Sequence, residues 1–288
     1  MIVRKLRTVH TVADVRAAVA AWHAAGEKVA FVPTMGNLHD GHLSLTKLVA
    51  EPDARVVMSI FVNPTQFGPT EDFAAYPRTL VEDTALLSAA GTVDLLFVPD
   101  TGEIYPFGVQ GAARVTLPFL RRELDAASRP GHFDGVASVV ARLLNIVGAD
   151  AVVLGQKDYQ QFLLMQRMIA DLHIPVRLIM GPTQRELDGL AMSSRNRYLD
   201  AEQRRRAPVL HDSLVRIRDA LRAGGTSFAQ LCADATRKLD AAGFEPDYVE
   251  VRRAADLGEP NAGDPAERRV VLAAARLGRA RLIDNLLV

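Results

Sequence analysis

The sequence predicts an α/β protein with a smaller α+β second domain, and three observations lead to this fold class. Short apolar runs such as KVAFV (28–32) and AVVLG (151–155) alternate with amphipathic segments through the first two-thirds of the chain. Near-continuous apolar strands between such helices are typical of a parallel sheet covered on both faces. After about residue 183, helices come first and strands later. We therefore expect domains at residues 1–183 and 184–288.

The individual elements follow from periodicity and from end signals. The first helix, residues 11–26, places Val15, Val19 and Trp22 at spacings of three and four, with Thr11 as its cap and Gly26 as its end. Strands are predicted at 28–35, 55–64, 93–99, 149–155 and 176–180, separated by helices at 42–51, 79–91, 133–148 and 159–172. In the second domain, helices are predicted at 201–224 and 227–243, and strands at 247–257, 268–278 and 280–288.

Composition excludes several classes of protein. Lys plus Arg and Asp plus Glu both number 34, so a formal net charge of zero gives no attraction to nucleic acid or to an anionic membrane. The chain has 1 cysteine, which excludes an internal disulfide. It has no apolar stretch of about 18 residues and no apolar N-terminal signal segment. We expect a soluble cytoplasmic protein that binds neither nucleic acid nor membrane.

The segment VPTMGNLHDGHLSL (32–45) carries two histidines, His39 and His42, where a predicted strand gives way to a helix. A helix N-terminus offers free N–H groups, and imidazoles there can hydrogen-bond phosphate oxygens. Gly41 would let the backbone approach a ligand. A helix cap with two surface histidines is an alternative, and a zinc site is another, although zinc requires three or four ligands.

Polar residues also follow two other predicted strands and a later loop. Asn63 and Gln66 lie in FVNPTQF (61–67), and Lys157 and Asp158 lie in GQKDYQQF (155–162). AMSSRNRYL (191–199) places two serines beside Arg195. These groups suit hydroxyls, carboxylates and phosphates. Each motif alone is equally well explained as a turn or a helix start.

Together and in this order, the motifs PTMGNLHDGHLSL, FVNPTQF, GQKDYQQ and LAMSSRNRYL resemble those of the pantothenate synthetase (pantoate–β-alanine ligase) family. YPRT (76–79) and RPGHFDGV (129–136) match as well, and DYVEV and LIDN carry the likeness into the second domain. The resemblance spans residues 2–288 and is densest between 30 and 200.

The resemblance implies a fold and a reaction. The fold would be a Rossmann-like nucleotidyltransferase domain with a small α+β C-terminal lid domain. The reaction would be an ATP-dependent ligation in which pantoate attacks ATP to form pantoyl adenylate and pyrophosphate. The amine of β-alanine would then displace AMP to give pantothenate, a precursor of coenzyme A. Magnesium would accompany ATP, and the protein would be a homodimer.

The resemblance also implies residue roles. His42, His39 and Lys157 would be catalytic, with His42 as the proton donor. Gln66 and Gln161 would bind pantoate and β-alanine. The residues matching ATP-binding positions are Met35, Gly36, Asn37, Leu38, His39, Asp40, Gly41, His42, Gly155, Gln156, Lys157, Asp158, Gln184, Met192, Ser193, Ser194 and Arg195. The resemblance assigns no direct metal ligand.

Two positions depart from the family's pattern. Gln156 stands where the family commonly has glutamate, and Thr65 stands where it commonly has methionine. Both lie in expected binding loops, so substrate affinity is what they would alter.

Two other functions are consistent with parts of the sequence. A mononucleotide adenylyltransferase would share the nucleotide motifs, but the paired glutamines favour a small uncharged or hydroxy-acid acceptor over a phosphorylated one. A nucleotide-binding regulator would not need the complete set of His39, His42, Lys157 and Arg195.

Overall fold

The structure is a computed structural model that describes residues 4–68, 73–74, 76–119, 123–261 and 263–288. The chain divides into two compact units. The larger unit comprises residues 1–155 and 164–181, and the smaller comprises residues 156–163 and 182–288. The short segment that follows the strand at 151–155 therefore groups with the smaller unit.

The larger unit is built on a parallel sheet, which confirms the predicted fold class. Among the described residues its six strands lie in the order β1-β4-β3-β2-β5-β6. They are β1 (Arg7–Val9), β2 (Lys28–Thr34), β3 (Ala54–Ile60), β4 (Leu95–Phe97), β5 (Ala151–Gly155) and β6 (Arg177–Gly181). Phe31, Met58 and Leu96 in the central strands are fully buried, as expected for a sheet covered on both faces.

Helices connect these strands. They are α1 (Val12–Ala24), α2 (Asp40–Lys47), α3 (Leu80–Ala90), α4 (Thr101–Ile104), α5 (Gly108–Gly111), α6 (Asp125–Ser128), α7 (His132–Val147) and α8 (Tyr159–Asp171). Thr11 caps α1 through a bond from Asp14 N, as predicted. Strand β1 was not predicted, because three residues at the sheet edge are too short for a periodic pattern.

The smaller unit contains helices α9 (Ala201–Arg206), α10 (Val209–Arg222) and α11 (Phe228–Ala241). Its strands β7 (Glu245–Arg253), β8 (Arg269–Leu277) and β9 (Ala280–Leu287) form an antiparallel sheet. Leu214, Ile217 and Leu239 of the helices pack with Val271 and Ala273 of β8 in one apolar core. This arrangement confirms the α+β prediction.

In the described part of the chain, no helix is both long and apolar enough to cross a bilayer.

A buried cluster of charges anchors the sheet at the N-terminal ends of β3 and β4. The carboxylate of Asp94 accepts hydrogen bonds from Arg4, from Arg55 Nη1 at 3.0 Å and from Val56 N at 2.8 Å. Arg55 also forms a two-bond pair with Glu27, at 2.9 and 2.6 Å, which lowers the pKa of that carboxyl. Asp94 therefore ties the strand ends to the N-terminal segment.

We predict that Asp94→Ala lowers the free energy of unfolding by about 3–5 kcal/mol, because the variant leaves buried guanidinium charge without its partner. Urea denaturation followed by circular dichroism measures this change. Asp53→Ala, which alters an exposed carboxylate next to β3, is the control and should stay within about 0.5 kcal/mol of the parent. Equal stability of the two variants would contradict the anchoring role.

Candidate active site

The order of the strands reverses between β2 and β5. From β2 the chain proceeds outward through β3 and β4, whereas β5 and β6 lie on the other side of β2. Ligands of open parallel sheets bind outside the carboxyl ends of the strands at such a switch point. The carboxyl ends of β2, β3 and β5 are the three that the sequence predicted to lie together, and they are neighbours.

The loop after β2 leads into α2 and carries the first predicted binding segment. Gly36 and Asn37 have φ of +79° and +57°, and a Cβ at Gly36 would lie 2.9 Å from the Ile60 side chain. His39 is the N-cap of α2, with its Nδ1 accepting from Gly41 N at 3.1 Å. This tight turn places the histidines at the start of the helix.

The two histidines form a reciprocal cap. Nδ1 of His42 accepts from the backbone N–H of His39 at 3.3 Å, and the ring centroids lie 4.2 Å apart. A neutral imidazole whose Nδ1 accepts a hydrogen bond carries its proton on Nε2. Both rings therefore present Nε2–H as a donor, and the cap interpretation and the anion interpretation of these residues are compatible.

A buried carboxylate holds the backbone of this loop. Asp83 on α3 is 3% exposed, and its oxygens accept from Asn37 N and Leu38 N, both at 2.8 Å. Thr79 Oγ1 donates to the same carboxylate at 3.2 Å. Asp83 thus fixes the chain direction immediately before His39. Sequence analysis missed it, although an acid one turn before Leu87, on the buried face of α3, was an available signal.

The segment after β3 carries Gln66, which is buried in a one-directional chain of hydrogen bonds. The Tyr105 hydroxyl donates to Asn63 Oδ1 at 2.7 Å, and Asn63 Nδ2 donates to Gln66 Oε1 at 3.1 Å. The amide nitrogen of Gln66 is therefore the atom oriented to donate to a ligand. Burial raises the pKa of Tyr105, which keeps it a hydroxyl donor at neutral pH.

Helix α7 supports this segment closely. A Cβ at Gly135 would lie 2.1 Å from the carbonyl oxygen of Thr65, so only glycine permits the contact. His132 Nδ1 donates to the Gln66 carbonyl at 2.8 Å, and its Nε2 faces Arg129 Nη1 at 2.8 Å. Thr65, one of the two departures from the family pattern, also bonds Asn63 Oδ1 through its hydroxyl at 3.1 Å. It therefore adds to the hydrogen-bond network that orients Gln66.

In the smaller unit, Gln156–Asp158 form a single 3-10 turn after β5. Lys157 Nζ lies 3.2 Å from Asp158 Oδ2. A Cβ on Gly155 would meet no atom within 4 Å, so the end of β5 leaves open space beside its backbone. Gln161 lies in the first turn of α8, and its side chain is half-buried.

The remaining predicted ATP residues lie in a hairpin and a turn of the smaller unit. Gln184 O accepts from Met192 N at 2.9 Å, which closes the hairpin. Ser193 then caps a 3-10 turn over Ser194–Tyr198 by accepting from Arg195 N at 3.3 Å. The side chains of Gln184, Met192, Ser193, Ser194 and Arg195 are half-buried. Half-burial suits residues that pack against the protein on one side and contact a ligand on the other.

The described residues contain no group of three or more His, Cys, Asp or Glu side chains that could hold a metal ion. In that part of the chain, a zinc ion on His39 and His42 would lack the third protein ligand of a catalytic site.

Comparison with known proteins identifies the family to which the chain belongs. The sequence model described as "Pantoate-beta-alanine ligase" matches residues 7–287. The pantothenate synthetase of Thioalkalivibrio sulfidiphilus is 52% identical over 281 residues, covering 98% of this chain and 97% of the relative. That of Pseudomonas aeruginosa strain PAO1 is 49% identical over 284 residues, covering 98% and 99%.

Solved structures extend the likeness to the fold. The crystal structure of pantothenate synthetase from Thermus thermophilus matches with a TM-score of 0.89 at 46% identity, covering 98% of this chain and 99% of that one. A pantoate–β-alanine ligase from Francisella tularensis, solved with "Beta-gamma ATP and Beta-alanine", matches with a TM-score of 0.80 at 31% identity, covering 98% of each chain. This chain belongs to the pantoate–β-alanine ligase family of enzymes.

Proposed function

We propose that this enzyme condenses pantoate with β-alanine through a pantoyl-adenylate intermediate, releasing pyrophosphate and AMP. A pantoate carboxylate oxygen attacks the α-phosphorus of ATP, and the bond to the β,γ-pyrophosphate breaks. The amine of β-alanine then attacks the acyl carbon, loses a proton, and expels AMP. The product is pantothenate, and the reaction belongs to the supply of coenzyme A in the cytoplasm.

The observation that carries this proposal is the pair of Nε2–H donors at the start of α2. Phosphoryl-centre chemistry needs positioned donors where charge develops, and it needs no protein nucleophile. His39 and His42 are held by the cap and by the Asp83-braced loop, so they require little reorganisation to meet phosphate oxygens. We assign the donor role to His42, whose Nε2–H donates a hydrogen bond to the leaving phosphate, and His39 acts as its partner. Pyrophosphate leaves as an anion, so the imidazole keeps its proton.

In this proposal the two glutamines, Gln66 and Gln161, bind the acid substrate. Because Asn63 occupies the oxygen of the Gln66 amide, Gln66 offers N–H groups, which suit a carboxylate or hydroxyl oxygen. An uncharged donor holds a carboxylate without neutralising it, so the carboxylate remains a nucleophile. Gln161 supplies a second amide to the same substrates. A phosphorylated acceptor, as in an adenylyltransferase, would favour cations at these positions.

In this proposal two sets of residues bind ATP. Lys157 and Arg195 contact phosphates, Asp158 contacts the ribose, and Ser193 and Ser194 donate hydroxyls. The open space beside the Gly155 backbone lets a nucleotide approach the end of β5. Met35 to Gly41, Gln156, Gln184 and Met192 supply backbone and side-chain contacts around it.

Magnesium, in this proposal, arrives with ATP. A cation that keeps its waters and binds chiefly to substrate phosphates needs at most one or two protein carboxylates. The histidines and Lys157 would bind phosphate oxygens and not the metal itself, so magnesium would be held by ATP and water. When bound, it neutralises phosphate charge. We also propose that the enzyme is a homodimer.

The first experiment is pantoate-dependent exchange of labelled pyrophosphate into ATP, with magnesium and without β-alanine. We expect exchange, because adenylate formation is reversible on the enzyme. If exchange is absent, β-alanine is added and AMP is measured; pantoate-dependent AMP would retain the ligase proposal with β-alanine required for the first step. Neither exchange nor AMP from folded protein would refute it.

We predict that His42→Ala lowers the rate of adenylate formation by about 10²-fold or more, because one donor to the transition state is lost. The same exchange assay measures this rate. His23→Ala, which alters an exposed histidine on α1, should exchange like the parent protein. Near-normal exchange by His42→Ala would contradict its assigned role.

For the acid substrate we predict a graded effect on KM. Gln66→Ala should raise the KM for pantoate more than tenfold. Tyr105→Phe, which removes only the donor that orients Asn63, should raise it by up to about tenfold, the value of one hydrogen bond. The KM for ATP, measured in the same variants, should stay within about twofold. An unchanged pantoate KM in Gln66→Ala would place pantoate elsewhere.

A further inference from the structure

Two consecutive residues of β9, Asp284 and Asn285, are polar yet 3% and 1% exposed. Burying a carboxylate and an amide in a small sheet costs free energy unless their hydrogen bonds are made. The destinations of those bonds are therefore informative. Both residues bond to segments that carry proposed ATP-binding residues, and all of these segments belong to the smaller unit.

Asn285 binds the backbone of the turn after β5. Its amide nitrogen donates to the carbonyl oxygens of Gln156 and Lys157, both at 2.9 Å. Its Oδ1 accepts from Gln156 Nε2 at 3.3 Å. One side chain thus fixes two successive peptide units, and with them the Cα from which the Lys157 side chain starts. The amide of Gln156 completes this contact.

Asp284 binds the hairpin that follows β6. Its carboxylate forms a two-bond pair with Arg185, at 2.7 and 2.9 Å. The same guanidinium donates to Gly189 O at 3.0 Å, across the hairpin. His211 Nδ1 lies 3.4 Å from Asp284 Oδ2, and a Cβ at Gly189 would lie 2.6 Å from the His211 ring. The hairpin is therefore held by Asp284 and packed against α10.

We propose that Asp284 and Asn285 are positioning residues for ATP. Asn285 sets the backbone of Lys157, and Asp284, through Arg185, sets the hairpin that leads into Ser193–Arg195. A single short stretch of β9 thereby fixes both nucleotide segments of the smaller unit in one frame. This inference rests on the proposed function, because it takes those segments to bind ATP.

The first test measures positioning without activity. Amide hydrogen exchange is followed by mass spectrometry in the parent protein, in Asn285→Ala and in Asp284→Asn. Asn285→Ala should speed exchange at residues 156–160 at least tenfold and leave 186–192 nearly unchanged, and Asp284→Asn should do the reverse. Parent-like exchange in both segments of both folded variants would overturn the proposal.

The second test measures the consequence for ATP. In both variants, kcat/KM for ATP should fall at least tenfold, whereas the KM for pantoate should stay within about threefold. The matched control is Asp247→Asn, since Asp247 of β7 also pairs with an arginine, Arg281 Nε at 2.6 Å, and lies outside the proposed site. If the role of Asp284 and Asn285 is purely structural, thermal stability should fall in all three variants, and kcat/KM for ATP should be the same in all three. That result would overturn the proposal.

Two further conditions separate failure of this inference from failure of the proposed function or from misfolding. If Asn285→Ala does not fold, Asn285→Ser, which retains a polar but shorter side chain, takes the same measurements. If the parent protein itself shows neither pantoate-dependent exchange of pyrophosphate nor pantoate-dependent AMP, the proposed function fails. If the parent is active and the variants match Asp247→Asn, this inference alone fails.

Discussion

Parallel pairing of β2 with both β3 and β5 is the constraint on which the rest of the larger unit depends. Parallel strands need crossover connections, so each strand end is followed by a loop and usually by a helix start. Because β2 lies between β3 and β5, the segments that follow these three strands all begin at the carboxyl-terminal end of the sheet. The charged cluster around Asp94 lies at the opposite ends of β3 and β4. The Asp94 cluster and the proposed active site therefore lie at opposite ends of the strands.

Buried polar groups orient the side chains that would meet substrate. Asp83 braces the loop before His39, Asn63 turns the amide of Gln66, and Asn285 holds the backbone of Lys157. Each buried group has its hydrogen bonds satisfied by the protein, so it costs little, and each removes a freedom that the substrate-facing residue would otherwise lose on binding. In the proposed site, preorganisation therefore comes from buried residues that hold the substrate-contacting residues in place.

The sequence predicted much of the candidate site because its motifs directly follow apolar strands. Such strands can be recognised from neighbouring residues alone. It did not predict the residues behind those motifs. Tyr105 and Asp83 reach the site from other elements, 42 and 45 positions away from Asn63 and Leu38. Only the LIDN segment containing Asp284 was noticed, and then as a likeness without a role, since its contacts lie about 100 residues away.

The sequence by itself determined the alternation of helix and strand, the change to an α+β pattern near residue 183, and the family, because these depend on local composition and motif order. Tertiary structure alone decided the strand order, the tautomers of His39 and His42, and the direction of the Gln66 amide. The physical reason is that a hydrogen bond's direction depends on which partner lies within about 3 Å. That partner is set by long-range packing and not by neighbours along the chain.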